Sequence, residues 1–276
     1  MNKDKLRNII SKKAKGNSTL SGQLYQMFFF EKILERISKS NYKHNIILKG
    51  GLLLSSIIGD DERTTKDMDA TLKSMPLEKE NIESIFKEIL SIDLEDDVLF
   101  QILDIKDIRE EDEYGGFKIN IMAAMDNLKI HLAVEITTGD KITPREIEYN
   151  YSSIFENKKI SILAYTIETV IAEKYQTIIT RGILNTRMKD FYDIYILISK
   201  NKERINIENL KIAIKNTFEH RKTEMDILEI HEIITEIKKD KDMKNLWKNY
   251  QKNAIYANEI EFEELFEPLN FITSII

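Results

Sequence analysis

Between Lys49 and Ala70 a glycine pair, a short apolar run, a charged turn and two aspartates one residue apart follow one another (KGGLLLSSIIGDDERTTKDMDA). That order leaves few ways to fold. Asn45 to Lys49 (NIILK) reads as a short buried strand running into the glycines, Leu52 to Ile58 as a short helix, and Asp67 to Leu72 as a second strand. The two strands form a hairpin-like unit with the helix between them. On a strand, side chains alternate faces, so Asp67 and Asp69 project to one side about 6.5 to 7 Å apart while Met68 points into a core.

Residue types in this order suit metal-dependent nucleotidyl transfer. An oxygen attacks the α-phosphorus of an NTP, pyrophosphate leaves, and negative charge is spread over the phosphoryl oxygens. Mg2+ favours carboxylates plus substrate phosphates, and two metals about 3.5 to 4 Å apart can hold the attacking and leaving oxygens. Without Cβ atoms, Gly50 and Gly51 let phosphate oxygens approach the N–H groups at the start of the next helix. Singly, each part has a plain alternative: a glycine pair marks a turn, and an acidic triplet is often a solvated loop. An EF-hand does not fit, because its further oxygen ligands and its glycine are missing at the required spacing.

The remaining sequence predicts two domains of different character. Apolar residues at Leu24, Met27, Phe28, Ile33, Leu34 and Ile37 mark an amphipathic helix over 21–38. Residues 78–91 form another, with Pro76 as initiator. Val98 to Ile108, Gly116 to Met125 and Leu128 to Thr137 alternate, with turns at 114–116 and at Asp126-Asn127, as in an antiparallel meander. In the last of these strands Glu135 faces opposite to Val134 and Ile136. It is either the third carboxylate of the Asp67–Asp69 cluster or an exposed strand residue. After Pro144 the pattern turns helical: 161–181 ending at Gly182 as a C-cap, 185–199 as its antiparallel partner, then 206–220, 223–239 and 241–258. The boundary is set at 158/159.

In the helical half, Asp190 shares a helix face with Asp193 and with Arg187. Lys174 on the preceding helix either forms a buried ion pair with these aspartates or presents its ammonium to triphosphate. The 276 residues contain no cysteine and four scattered histidines, which excludes disulfides and cysteine-ligated zinc and argues against a histidine metal site. A net charge of −6 gives no global attraction to nucleic acid, although Lys12, Lys13 and Lys15, and Lys238, Lys239, Lys241 and Lys244, offer local basic faces. The N-terminus lacks the apolar core of a signal peptide and no window is long enough for a membrane span, so a cytoplasmic protein with no membrane partner is expected.

Taken in order, LKGG at 48–51, RTTKDMDA at 63–70, VEITTGD at 134–140, ETVIAEKYQTIITRG at 168–182 and TRMKDFYDIYILI at 186–198 resemble the AbiEii/AbiGii family of nucleotidyltransferase-like toxins of type IV toxin–antitoxin and abortive infection systems. The resemblance implies an α+β fold: a polymerase-β-like nucleotidyltransferase domain with a mixed sheet (1–158), followed by an α-helical domain (159–276). It implies that Gly50 and Gly51 bind triphosphate with the Thr65 hydroxyl beside them, and that Asp67 and Asp69 hold Mg2+ with Glu135 as third carboxylate. Lys174 would reach the nucleotide phosphates, with Asp190 orienting it or completing the cleft. The chain departs from the family pattern at Glu135, where aspartate is usual, and at Leu52, where a small hydroxyl residue is usual. The implied activity is transfer of NMP from NTP to an RNA acceptor, the 3′ end of tRNA, blocking translation, with a cognate antitoxin encoded separately. Nucleotidylation of a small molecule or a protein hydroxyl, and a non-catalytic nucleotide-binding module, are the alternatives.

Overall fold

A computed structural model describes residues 1–59, 63–108 and 115–276. The chain forms two compact units, Met1–Asp140 with Glu146–Ala164, and Lys141–Arg145 with Tyr165–Ile276. The fold is α+β, with seven strands and ten α-helices among the described residues.

The first unit is built on one mixed sheet in the order β3-β4-β5-β2-β1-β7-β6. The strands are β1 (Ile46–Lys49), β2 (Met68–Leu72), β3 (Val98–Ile108), β4 (Gly116–Met125), β5 (Leu128–Thr137), β6 (Ile147–Ser152) and β7 (Lys159–Ala164). β3, β4 and β5 make the expected antiparallel meander. A two-residue turn joins β4 to β5 with Asp126 at φ 51°, a conformation Asp tolerates better than most residues. The turn expected at 114–116 lies in part outside the described residues. β5 runs parallel to β2, β2 antiparallel to β1, and β1 parallel to β7.

Period-two alternation gives the sheet two unlike faces. Met68, Ala70, Leu72, Val134, Ile136, Ile119 and Ile121 share one face and are buried. The helix α2 (Ser18–Lys39) packs against β5 and β7, and α4 (Lys79–Leu90) against β3 and α2. The other face carries Lys49, Asp69, Glu135, Lys118 and Lys106, which stand in register as one row across five strands. Between β1 and β2 lies α3 (Gly50–Ile58).

One helix was not foreseen, and two further elements depart from the sequence expectation. The N-terminal segment is a helix, α1 (Lys3–Ala14), whose Leu6, Ile10 and Ala14 recur every four residues and pack on α2. The centre of α2 is buried nearly all round, not only along an amphipathic stripe, because charged groups on its second face are paired: Arg36 with Asp96, Lys32 with Glu156, and Glu31 with the Ser153 hydroxyl and the Ile154 N–H. Third, residues after Pro144 do not turn helical at once. They form β6 and β7, and the helix expected from 161 begins at Ile167, capped by Thr166. In KISILA the buried residues Ile160, Ile162 and Ala164 alternate with Ser161 and Leu163, a strand pattern too short to separate from the helical run that follows until β1 supplies a partner.

Burial of Glu31, only partly offset by its two hydrogen bonds and by Lys158 and Lys32, pushes its carboxyl up to about 7. A raised carboxyl favours the protonated fold, so stability falls as pH rises from the ordinary carboxyl range to about 7, by about 3 kcal/mol at most, and is flat above. Glu31→Gln should therefore be more stable than wild type in urea unfolding at pH 8 and indistinguishable at pH 4.

The second unit is helical. α5 (Ile167–Arg181) packs against α6 (Met188–Asn201) and α7 (Ile207–His220), while α10 (Phe266–Ile275) packs on α6 and on α8 (Ile227–Lys239); α9 (Lys241–Asn253) adds to α6. Gly182 ends α5 at φ 50°, with its N–H on the Ile178 carbonyl, the expected C-cap. No helix among the described residues is long and apolar enough to cross a membrane.

Candidate active site

The strand β1 leaves the sheet at Lys49 and turns directly into α3, with Gly50 at φ 65°. Antiparallel pairing places Asp69 of β2 opposite Lys49. The carboxylate of Asp69 therefore lies against the glycine turn, accepting a hydrogen bond from the Gly51 N–H at 3.3 Å. A Cβ at Gly50 would sit 1.8 Å from Asp69 Oδ2, and one at Gly51 would sit 2.4 Å from Thr65 Oγ1. Close approach of the site's side chains thus requires both glycines, and at Gly50 the backbone conformation requires it as well. Gly50→Ala should displace Asp69 and impose a strained φ, costing about 1–3 kcal/mol, visible in urea unfolding, and lowering kcat/KM about a hundredfold.

Asp67 does not belong to the strand, which begins at Met68. It sits on the bend just before it, where the buried Thr65 hydroxyl donates to Asp67 Oδ1 at 2.8 Å and lies 3.1 Å from its backbone carbonyl. The hydroxyl offers the backbone a turn that competes with the ladder. Met68 is fully buried on the opposite face, as alternation requires.

Burial is the largest influence raising the Asp69 carboxyl above the usual range, followed by the charge of Asp67. Lys49 opposes this, Glu135 adds to it, and the Gly51 N–H offsets part. Glu135 is the neighbour of Asp69 across β5, and it is paired with Lys118 at 2.8 Å. Beside the glycine turn, Lys49 Nζ contacts Asp140 Oδ2 at 2.8 Å and the Thr137 hydroxyl at 2.7 Å, and Thr71 also donates to Asp140. Lys49, Lys118, Thr71, Thr137 and Asp140 were not singled out by sequence reasoning. Their signal lies in strand register, because all except Asp140 fall on the polar face of the sheet.

Among the described residues no group of three His, Cys, Asp or Glu side chains is arranged to hold a metal ion. What the site does offer is a pair of oxygen donors, Asp67 and Asp69, whose mutual repulsion a cation relieves. That donor set fits Mg2+, which takes one or two carboxylates and completes its shell with water and substrate phosphates.

In the helical unit, Lys174 of α5 is clamped by Asp190 and Asp193 of α6, each at 2.7 Å. Both aspartates are fully buried, and the lysine side chain is 13 % exposed. Arg187 Nε stands 2.8 Å from Asp190 Oδ2 but is not aligned to hydrogen-bond it. The expected site residues thus divide between the units, with Gly50, Gly51, Thr65, Asp67, Asp69 and Glu135 in the first and Lys174 and Asp190 in the second.

Comparison with known proteins gives the family. No curated protein matches the sequence. Among solved structures, JHP933 from Helicobacter pylori is 14% identical, covering 92% of this chain and 90% of its own, with a TM-score of 0.49. ANT(2")-Ia in complex with adenylyl-2"-tobramycin is 13% identical, covering 71% of this chain and 98% of its own, with a TM-score of 0.42. Residues 32–268 match the family described as nucleotidyl transferase AbiEii toxin, type IV TA system. That match spans both units and every residue of the glycine turn, the aspartate pair and the lysine clamp, and the chain belongs to the AbiEii family of nucleotidyl transferase toxins.

Proposed function

We propose that this nucleotidyltransferase moves NMP from an NTP to an RNA acceptor, the 3′ end of tRNA, in a Mg2+-dependent reaction that blocks translation and arrests growth. The single observation that carries the chemistry is the Asp69 carboxylate, held between the amide of Gly51 and the like charges of Asp67 and Glu135. In this reading Gly50 and Gly51 let phosphate oxygens approach the start of α3. Asp67 and Asp69 bind Mg2+, which when bound neutralises phosphate charge in the transition state. Thr65 fixes the rotamer of Asp67, and Glu135 is a further carboxylate on the same sheet face. In the helical unit Asp190 and Asp193 orient the Lys174 ammonium. The acceptor hydroxyl attacks the α-phosphorus and pyrophosphate leaves.

Family membership supports a toxin whose cognate antitoxin is a separate chain. A cytoplasmic setting and a part in antiviral defence follow from that role. The decisive experiment incubates the protein with each labelled NTP, Mg2+ and total tRNA. Label in tRNA, lost on addition of EDTA, is the expected result. Label appearing instead in a small molecule or a protein removes the RNA acceptor. Growth arrest by Asp69→Ala at undiminished strength removes catalysis altogether.

A further inference from the structure

We propose that Lys118 is the built-in counter-ion of the acidic cluster, and that its ammonium must leave Glu135 before that carboxylate can serve a divalent cation. This rests on the metal reading of Asp67 and Asp69. The polar row on the sheet places the groups in order: Lys49, Asp69, Glu135, Lys118, Lys106. Lys49 at one end is engaged by Asp140 and Thr137, and Lys106 at the other lies 3.4 Å from Asp104. Lys118 therefore supplies the ammonium seated on Glu135, at 2.8 Å. The hydrogen bond that the ammonium donates to Glu135 raises the Lys118 pKa against partial burial, and the charges of Asp67 and Asp69 add to the rise, so the lysine senses all three carboxylates.

The pair is built to exchange. Lys118 is 41% and Glu135 29% exposed, and an ion pair this open is worth only about 0–1 kcal/mol. A divalent ion beside Asp67 and Asp69 repels the ammonium while attracting Glu135 more strongly than a single charge can. The displaced lysine, on a flexible four-carbon stem, stays close enough to meet the anionic triphosphate that accompanies the metal.

The test is direct titration of the full chain with Mn2+, without nucleotide, read by electron paramagnetic resonance. Lys118→Met and Lys118→Gln should each bind Mn2+ about tenfold more tightly than wild type, while Lys118→Arg stays close to wild type. Lys106→Met removes the same charge from the same row without freeing Glu135 and should change little. Unchanged or weaker binding in both neutral Lys118 variants overturns the inference, as does equal tightening by Lys106→Met, which would make the effect one of general charge. Wild type binding Mn2+ normally through those failures leaves the metal reading standing. No Mn2+ binding in any variant, or undiminished binding by Asp69→Asn, overturns the metal reading and this inference with it.

Discussion

Asp69→Asn should abolish label transfer, lowering kcat/KM by about a thousandfold or more, and should leave the fold at least as stable as wild type. The two halves of this result come from one geometry. Asparagine has the shape of aspartate and keeps an oxygen for the Gly51 N–H, so packing around the glycine turn is preserved. It removes a charge that burial and Asp67 already disfavour. A charge that is costly in the folded state adds no stability by itself, which is the pattern expected of a group that serves a ligand. Equilibrium unfolding in urea gives the stability and single-turnover transfer gives the activity. A marked fall in stability with transfer intact would return Asp69 to a structural role.

Arg36→Met should be the most destabilising single substitution of the sheet unit, at about 3–5 kcal/mol, a fall in melting temperature of roughly 10 °C. Arg36 is 1% exposed on α2, with both terminal nitrogens on Asp96 at 2.8 and 3.1 Å, further bonds to the Lys32 and Val98 carbonyls, and its guanidinium 5.0 Å from the Phe100 ring centre. Burial alone would raise the Asp96 carboxyl; hydrogen bonding and charge from Arg36, with the Val98 N–H and Lys32, hold it below the usual range instead. Methionine fills much of the volume and strands that carboxylate. In Arg36→Met/Asp96→Leu both charges are gone, and most of the loss should be recovered. A double variant no better than Arg36→Met alone would place the cost in packing, and the ion pair would then contribute little.

The limits of β3, β4 and β5 were legible residue by residue, because alternation runs for ten residues or more and a turn-forming pair separates β4 from β5. The glycine turn and the aspartate pair were legible for another reason. Both glycines are required by contacts only nineteen and fourteen residues further on, so motif and geometry share one local stretch. The Lys174 clamp was half legible: spacing on α6 put Asp190 and Asp193 on one face, but whether the lysine met them depended on how α5 packs. The departure of Asp67 from the strand turns on the Thr65 hydroxyl, a bond that spacing does not reveal.

By itself the sequence determined which residues could form the turn, the acidic pair and the two classes of unit, because glycine's missing Cβ, side-chain alternation and helical period are local properties of the chain. Only the tertiary structure decided that 159–164 is a strand, that Glu135 stands next to Asp69, and that Lys118 and Lys49 flank them. These are pairings between segments far apart in order. Their register is set by burying one apolar face of the sheet beneath α2 and α4, a constraint on the whole unit that no short stretch of sequence contains.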